Sequence, residues 1–214
     1  MMMSSLRRRR PYDAAKRVLD ATSATLLIVV SSPIQAATAL AVLVKLGRPI
    51  LFRQERVGRD ERIFTLIKFR SMHMPDPSRA LATDGDRLTR FGKLLRATSI
   101  DELPTLVNVI RGDMSMVGPR PLLVEYLPRY SREQARRHEV RPGMTGLAQV
   151  SGRNMVEWDD RLRLDVEYVD ARSFRLDFRI AAKTLAVVFR REGIQAEGHV
   201  TMHEFRGSDA EKKA

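Results

Sequence analysis

The feature that most constrains this chain is an apolar stretch near its N-terminus. From Ala21 to Val44 no residue carries a charge, and about 20 apolar residues are enough for a helix to cross a bilayer. Ser31, Ser32 and Pro33 interrupt the stretch near its middle. Pro33 has no N–H with which to close the helical ladder, and the two serine hydroxyls can bond the carbonyls that it leaves free. The pattern therefore favours a bent helix over a straight one.

Basic residues flank the apolar stretch on both sides. They are Arg7 to Arg10, Lys16 and Arg17 before it, and Lys45, Arg48, Arg53 and Arg56 after it. Since membrane proteins keep positive charge on the cytoplasmic side, both ends are predicted to face the cytoplasm. We therefore expect a re-entrant helical hairpin over residues 16–48 that dips into one leaflet, with its break at Ser32 and Pro33 and with Asp20 and Lys45 at the headgroup level. A straight spanning helix, a cleavable signal peptide and a buried helix pair in a soluble core are the alternatives that the residues leave open.

The charge balance limits the partners of the chain. A net charge of +12 favours an anionic partner, such as nucleic acid, an acidic membrane or a phosphorylated substrate. Aromatic residues make up only 6% of the sequence, which supplies few stacking surfaces for single-stranded nucleic acid, so no nucleic-acid partner is expected. The sequence has no Cys, which excludes disulfides and thiolate nucleophiles.

The remaining sequence predicts a mostly helical α+β protein. Strand-like runs over Pro49–Phe69 surround the turn residues Gly58-Arg59-Asp60 and predict a small β-hairpin. The other predicted elements are a short amphipathic helix over Arg90–Arg96, a helix over Pro104–Ile110 that stops at Gly112, a surface helix over Leu122–Glu139 and a shaped loop over Arg141–Gly152. A basic amphipathic helix is predicted over Asp177–Arg191, and it lies either on an anionic membrane or on the core.

Two adjacent carboxylates are the first candidates for chemistry. Asp101 and Glu102 follow Ser99, so a helix-capping box is their ordinary structural explanation. Pro104 argues against a helix that starts at Ser99, because the proline would then lie too deep within it. A helix that begins near Leu103 leaves both carboxylates just before its positive end.

Basic residues form the second group of candidates. Arg120 stands between Pro119 and Pro121, which fix the backbone and aim its guanidinium. Lys68 and Arg70 close the predicted hairpin, and taken singly they are explained as a solvated strand end. The residues interpreted as structural are the turn Asp84-Gly85-Asp86 and the four histidines, His73, His138, His199 and His203.

Five segments in this order resemble one family, the small monotopic phosphoglycosyl transferases, also called bacterial sugar transferases. The segments are Phe52–Gly58, Lys68–Met72, Ser99–Pro104, Gly112–Pro121 and Arg141–Leu147. The likeness runs from about Lys16 to Gly193 and corresponds to the minimal catalytic form. Thr105 departs from the Gln or Glu that usually follows the proline, and Arg172 departs from a common aromatic.

The resemblance implies a reaction and a set of partners. Members transfer a sugar 1-phosphate from a UDP-sugar to polyprenyl (undecaprenyl) phosphate, release UMP, and start exopolysaccharide, O-antigen (lipopolysaccharide) or glycoconjugate synthesis at the cytoplasmic face of the bacterial inner membrane. A covalent aspartyl phosphosugar and Mg2+ are part of that chemistry. The implied partners are the UDP-sugar donor, the polyprenyl phosphate acceptor and inner-membrane lipid, and a homodimer is left open as an assembly.

The same resemblance assigns roles along this sequence. Asp101 is the expected nucleophile, and Glu102 assists by holding the metal or the acceptor phosphate, so both are the expected metal ligands. Lys68, Arg70, Arg96 and Arg120 are the expected phosphate-binding residues, and Ser32 and Pro33 are the break in the membrane helix. The expected organisation is a basic tail over residues 1–15, the membrane helix over 16–48, interfacial amphipathic helices and a cytoplasmic catalytic domain over 49–193, and a tail over 194–214.

Two other functions are weighed against this one. A membrane-anchored basic module that binds anionic lipid or nucleic acid explains the charge and the apolar stretch, but not the acid pair or the proline-flanked arginine. A metal-dependent hydrolase of nucleotide-sugars on the same scaffold is the nearer rival, and it would need no lipid acceptor.

Overall fold

The computed structural model of the chain describes residues 11–76, 83–151, 157–190 and 204–207. These residues form helices of different lengths and two small pairs of strands. In chain order they are α1 (Pro11–Leu46), β1 (Leu51–Val57), β2 (Ile63–Phe69), α2 (Asp84–Arg87), α3 (Arg90–Ala97), α4 (Leu106–Arg111), β3 (Ser115–Val117), β4 (Gly143–Thr145), α5 (Leu147–Val150), α6 (Trp158–Ala171) and α7 (Phe174–Arg190). Single-turn or two-turn 3₁₀ helices cover Arg59–Glu61, Ile100–Thr105, Val124–Arg129 and Gln134–Glu139.

The apolar stretch lies within α1, one helix of 36 residues that is long and apolar enough to cross a membrane. Helical structure begins at Pro11, inside the predicted tail, and continues through Pro33, so two separate helical arms are not observed. Ser32 Oγ donates to the carbonyl of Val29 at 2.8 Å. That is the carbonyl whose helical partner Pro33 would have supplied, so the predicted serine compensation is confirmed.

Both ends of α1 are bound to the rest of the protein. Near its start, the Arg17 guanidinium donates to the carbonyls of Val109 and Ile110, both at 2.5 Å. At its end, the Arg70 guanidinium donates to the carbonyls of Leu46 and Gly47, which a helix C-terminus leaves without intrahelical partners.

Asp20, which is predicted at the headgroup level, has its partners within the protein. Its side chain is buried and accepts from Ser115 Oγ at 2.7 Å and from the backbone N–H of Met116 at 3.2 Å. The carboxylate thus attaches α1 to β3. A buried carboxylate requires such donors, and the donors come from a segment about a hundred residues away in sequence.

The predicted β-hairpin is confirmed. β1 and β2 pair antiparallel from Leu51 opposite Phe69 to Val57 opposite Ile63. The turn contains Gly58 and a 3₁₀ helix in which Asp60 and Glu61 have positive φ angles. The register places Lys68 at the open end of the hairpin, opposite Phe52.

A buried amide attaches this hairpin to α4. Asn108 is fully buried; its Oδ1 accepts from the N–H of Ile67 at 3.1 Å, and its Nδ2 donates to the carbonyl of Thr65 at 2.8 Å. Thr105 Oγ1 donates to the carbonyl of Ile67 at 2.8 Å. The departure from the family pattern at Thr105 therefore has a structural use, because it fixes the strand beside the acid pair.

The segment predicted as one surface helix, Leu122–Glu139, is different in the structure. It forms two 3₁₀ helices, the first of which contains Pro128, and a proline inside a helix interrupts an α-helical ladder. Tyr126, Arg137 and His138 are buried rather than exposed. The predicted shaped loop contains β4, which pairs parallel with β3, and the short helix α5.

The ends of the chain differ partly from prediction. Phe205, inside the predicted tail 194–214, is fully buried and packs against Tyr126 and Trp158. Residues 191–203 and 208–214 lie outside the described residues. In α7 the predicted amphipathic pattern is present in part, since Ile180 is buried whereas Phe178 and Leu185 are 77% and 60% exposed.

We predict that Asn108→Leu destabilises the protein by about 2–4 kcal/mol, because the N–H of Ile67 and the carbonyl of Thr65 lose their partners while the side chain keeps its branched shape. Thermal unfolding in detergent measures the effect. A loss below about 1 kcal/mol would show that β2 does not depend on this amide.

Candidate active site

The two adjacent carboxylates lie in the 3₁₀ helix Ile100–Thr105, directly after α3. Ser99 precedes them with a left-handed φ of 55°, and its side chain makes no capping hydrogen bond. The capping-box explanation is therefore wrong. The predicted helix after the acid pair is α4, which begins at Leu106 and stops at Gly112 as expected. A 3₁₀ helix over Ile100–Thr105 that contains Pro104 precedes it.

Glu102 bridges two of the predicted phosphate-binding cations. Its Oε1 accepts from Lys68 Nζ at 2.5 Å and from Arg120 Nη2 at 3.2 Å. Lys68 comes from β2 and Arg120 from the turn between two prolines, so one carboxylate joins three segments distant in sequence. Burial alone would raise the pKa of Glu102, but Lys68 and then Arg120 outweigh it and lower that pKa to about 2.

Asp101 is the more buried carboxylate, with 7% of its surface exposed. Burial, followed by repulsion from Glu102, raises its pKa to about 6, against the opposing effect of Lys68, Arg96 and Arg120. Two neighbouring carboxylates whose pKa values move in opposite directions are typical of a catalytic pair with divided roles.

Arg96 reaches this group from α3. Its Nε donates to Ser71 Oγ at 3.0 Å, and its Nη2 lies 2.9 Å from Met72 Sδ. Gly92 permits the approach, because a Cβ there would lie 1.8 Å from the carbonyl oxygen of Ser71. Ser71 and Gly92 were not predicted as site residues; a glycine inside a short amphipathic helix was the signal that could have identified the close contact.

The structure brings Lys68, Arg96 and Arg120 to the carboxylate pair, but it places other predicted residues elsewhere. Arg70 is buried at the C-terminus of α1, and its phosphate-binding role stays a prediction. Ser32 and Pro33 are exposed on α1. The turn Asp84-Gly85-Asp86 begins α2 with a capping box formed by Thr83, which confirms its structural interpretation.

The histidines contribute little to this site. His138 is buried beside the ring of Tyr130, and burial followed by Arg137 lowers its pKa to about 3, so it is a neutral structural residue. His199 and His203 lie outside the described residues.

The acid pair supplies the oxygen ligands that Mg2+ prefers. Among the described residues, no three His, Cys, Asp or Glu side chains converge as a metal-binding group. Asp101 and Glu102 still fit this ion, because Mg2+ is commonly held by one or two carboxylates together with substrate phosphates and water.

A buried, partly neutralised carboxylate within the electrostatic influence of Lys68, Arg96 and Arg120 suits an enzyme that transfers phosphate-containing groups, since anionic substrates would enter a cationic site. Comparison with known proteins identifies the class further. The family model described as bacterial sugar transferase matches residues 11–191.

Curated relatives agree with that match. An uncharacterized sugar transferase, EpsL, of Bacillus subtilis (strain 168) is 50% identical over 194 residues, which cover 90% of this chain and 96% of the relative. The UDP-glucose:undecaprenyl-phosphate glucose-1-phosphate transferase of Caulobacter vibrioides is 43% identical over 81% of this chain and 69% of the relative. The undecaprenyl-phosphate galactose phosphotransferase of Salmonella typhimurium is 38% identical over 83% of this chain and 41% of that longer protein. The chain belongs to the bacterial sugar transferase family. This confirms the prediction, based on the motifs of the sequence, that the protein is an enzyme.

The opposite pKa directions of the two carboxylates predict opposite effects on stability. Because the folded-state pKa of Asp101 lies above its ordinary value of 3.8, stability falls as the pH rises from about 4 to about 6. We expect Asp101→Asn to raise stability above pH 7 by an amount on the order of 1–3 kcal/mol and to change it little at pH 4.

Glu102→Gln is the matched control. The pKa of Glu102 is lowered in the folded state, so its charge stabilises the fold above its unfolded-state pKa, and its removal should lower stability at pH 7. Unfolding curves of both variants at pH 4 and 7.5 measure this. Shifts of the same sign for both variants at pH 7.5 would contradict the assignment.

Proposed function

We propose that this protein transfers a sugar 1-phosphate from a UDP-sugar to undecaprenyl phosphate and releases UMP. The observation that carries the proposal is the environment of Asp101, which is buried beside an ionised Glu102 and within the influence of three cations. The relatives' names support the same reaction, since two of them are transferases or phosphotransferases of a sugar and undecaprenyl phosphate. In this role the protein would start the assembly of a lipid-linked polysaccharide or glycoconjugate.

The proposed chemistry proceeds in two displacements at one phosphorus atom. A carboxylate oxygen of Asp101 attacks the phosphorus that carries the sugar, and the bond to the bridging oxygen of the diphosphate breaks. UMP leaves with that electron pair, so an aspartyl phosphosugar is formed. An oxygen of undecaprenyl phosphate then attacks the same phosphorus, and the carboxylate of Asp101 is released unchanged.

The surrounding charges suit this sequence of steps. Two like charges at about 4 Å repel by roughly 4 kcal/mol at an effective dielectric of 20, and an ionised Asp101 must approach a diphosphate that carries several charges. Lys68 and Arg120 are held in place by Glu102, and Arg96 by Ser71, so their positive charge is oriented before the substrate arrives. Mg2+, bound by Asp101 and Glu102 together with the diphosphate, would supply further charge neutralisation.

The charged residues of the site account for the transfer of a phosphate-containing group, but they do not indicate which sugar is transferred. The names of relatives include glucose, galactose and N-acetylgalactosamine, whereas the described groups of the site are those suited to phosphate. A shared phosphate site that serves different hexoses agrees with both observations.

We infer that α1 enters and leaves the membrane on the cytoplasmic side. Its first turns contact α4 and α7 through Arg17 and Lys16, and its last turn contacts Arg70. A helix crossing the bilayer would place its ends about 30 Å apart in opposite aqueous phases, which conflicts with attachment of both ends to one polar domain. Large apolar residues of α1 are nevertheless exposed, namely Leu26, Leu27, Val29, Val30, Ile34, Leu40 and Val44. A re-entrant helix that bends at Pro33 would satisfy both observations, and it can remain helical there, as α1 is in the structure.

Two other helices suit the membrane surface. α7 exposes Phe178 and Leu185 together with Arg179 and Lys183, and α3 exposes Leu94 beside basic residues. Such helices bind anionic lipid through apolar burial and charge. This placement at the cytoplasmic face of the inner membrane would hold Asp101 near the height of the lipid phosphate.

The covalent mechanism is tested by the mass of the intact protein after incubation with Mg2+ and each of several UDP-sugars, without lipid acceptor. We expect a gain of one phosphosugar with the correct donor and no gain for Asp101→Asn, which also should have no turnover. A phosphosugar gain that persists in Asp101→Asn would remove Asp101 from the nucleophile role.

A nucleotide-sugar hydrolase is the second candidate for this site. It is distinguished by the acceptor, because the proposed transferase should release UMP continuously only when undecaprenyl phosphate is present. UMP release at the same steady rate without lipid would favour hydrolysis instead.

We predict that Ser32→Ala combined with Pro33→Ala straightens α1 towards a spanning helix, since the proline break and the hydroxyl that compensates for it are both removed. Accessibility labelling of a cysteine introduced at the N-terminus should then detect it outside the cytoplasm in part of the population. A fully cytoplasmic N-terminus in the double variant would contradict this explanation of the bend.

A further inference from the structure

The turn that carries Arg120 is held almost entirely through its carbonyl groups. Pro119 and Pro121 have no N–H, so the turn has few donors with which to attach itself to the protein. The carbonyl of Pro119 accepts from the N–H of Gly143 at 2.9 Å, and the carbonyl of Arg120 accepts from Arg137 Nη2 at 2.7 Å. The carbonyl of Pro121 accepts from Arg56 Nη1 at 3.4 Å. Two of these three donors are therefore arginine side chains.

Arg137 is the more deeply placed of the two donors. Its side chain is 2% exposed, and its partner Asp165 on α6 is 3% exposed. Arg137 Nε and Nη2 lie 3.1 and 2.7 Å from Asp165 Oδ2, and Nη1 lies 3.4 Å from the hydroxyl of Tyr130. The guanidinium plane is thus fixed on three sides, and one of its nitrogens serves both the carboxylate and the carbonyl of Arg120.

Stability alone is a weak explanation for such a pair. Removing two charges from water costs free energy that their attraction often fails to recover, and well-packed apolar residues of similar volume are frequently as stable. A lysine could neutralise Asp165, but it lacks the planar fork that reaches two acceptors at once. The contact of Arg137 with the backbone carbonyl of Arg120 therefore explains the geometry of this ion pair better than stability does.

We propose that Arg137 and Asp165 form a positioning pair that aims the guanidinium of Arg120 at Glu102 and at the diphosphate of the donor. This inference rests on the proposed function, since it assigns the pair to the same reaction. The path has three contacts, from Asp165 to Arg137, from Arg137 to the carbonyl of Arg120, and from the Arg120 guanidinium to Glu102. Because Pro119 and Pro121 restrict the backbone on either side, a displacement of this carbonyl is transmitted to the side chain.

A double-mutant cycle tests the proposal. The pair is replaced by Arg137→Met with Asp165→Leu, which removes both charges while keeping apolar volume, in the native background and in Arg120→Ala. Arg136→Gln is the matched control, because the neighbouring Arg136 on the same 3₁₀ helix pairs with Glu133 and Asp170 at the surface. Two quantities are measured in each variant, kcat/KM for UMP release with lipid acceptor and the affinity for UDP with Mg2+ by calorimetry.

If the pair acts through Arg120, its replacement lowers kcat/KM by about 10- to 100-fold in the native background, but by less than about threefold once Arg120 is Ala. UDP affinity should show the same non-additivity, and Arg136→Gln should stay within about twofold of the parent. Equal losses in both backgrounds, or no loss in a folded protein, would overturn the proposal. If the apolar replacement does not fold, Arg137→Lys provides the same cycle, since it keeps the charge opposite Asp165 but loses the fork.

The two measurements separate this inference from the proposed function. If the unmodified protein binds UDP but releases no UMP with any donor, the proposed function fails, and the cycle is decided on UDP affinity alone. If the unmodified protein binds no UDP and turns over no UDP-sugar, both are overturned.

Discussion

The ionic bridge from Lys68 through Glu102 to Arg120 is the interaction on which the rest of the site depends. It joins the end of a β-hairpin, the start of a 3₁₀ helix and a proline-restricted turn, and its members are only partly exposed. A carboxylate with two cationic partners remains ionised, so Glu102 holds the cations in place. Its neighbour Asp101 has no such pair of partners among the described residues, and burial raises its pKa. The bridge therefore positions the side chains of the site and also gives the two carboxylates different pKa values.

Buried polar contacts support this bridge on two sides. Asn108 fixes β2 beneath Lys68, and Arg137 holds the backbone of Arg120. Buried polar groups specify geometry because an unmatched partner is costly in a medium of low dielectric. The consequence is a set of cations whose positions are fixed before a substrate binds, which is the condition for electrostatic catalysis.

The apolar helix α1 and the acid pair are connected through the same elements. α1 is secured near its start by Arg17 and at its end by Arg70, while its middle exposes apolar side chains. β2 leads from Lys68 directly to Arg70, so the segment that supplies a site cation also supplies the cap of the membrane helix. In the proposed membrane orientation of α1, the few residues of backbone between Lys68 and Arg70 would set the distance between the site and the lipid surface.

The sequence by itself determined the local features and the family. The proline inside an apolar run, the β-hairpin, and the acid pair before Pro104 all depend on neighbours along the chain, and the ordered motifs selected the reaction class. Only the tertiary structure decided which cations meet the carboxylates: it placed Arg96 and Arg120 there but Arg70 at the end of α1. It also buried Asp20 and Arg137, which a local pattern reads as surface charges. These outcomes depend on donors and acceptors far apart in sequence, whose approach no local propensity encodes.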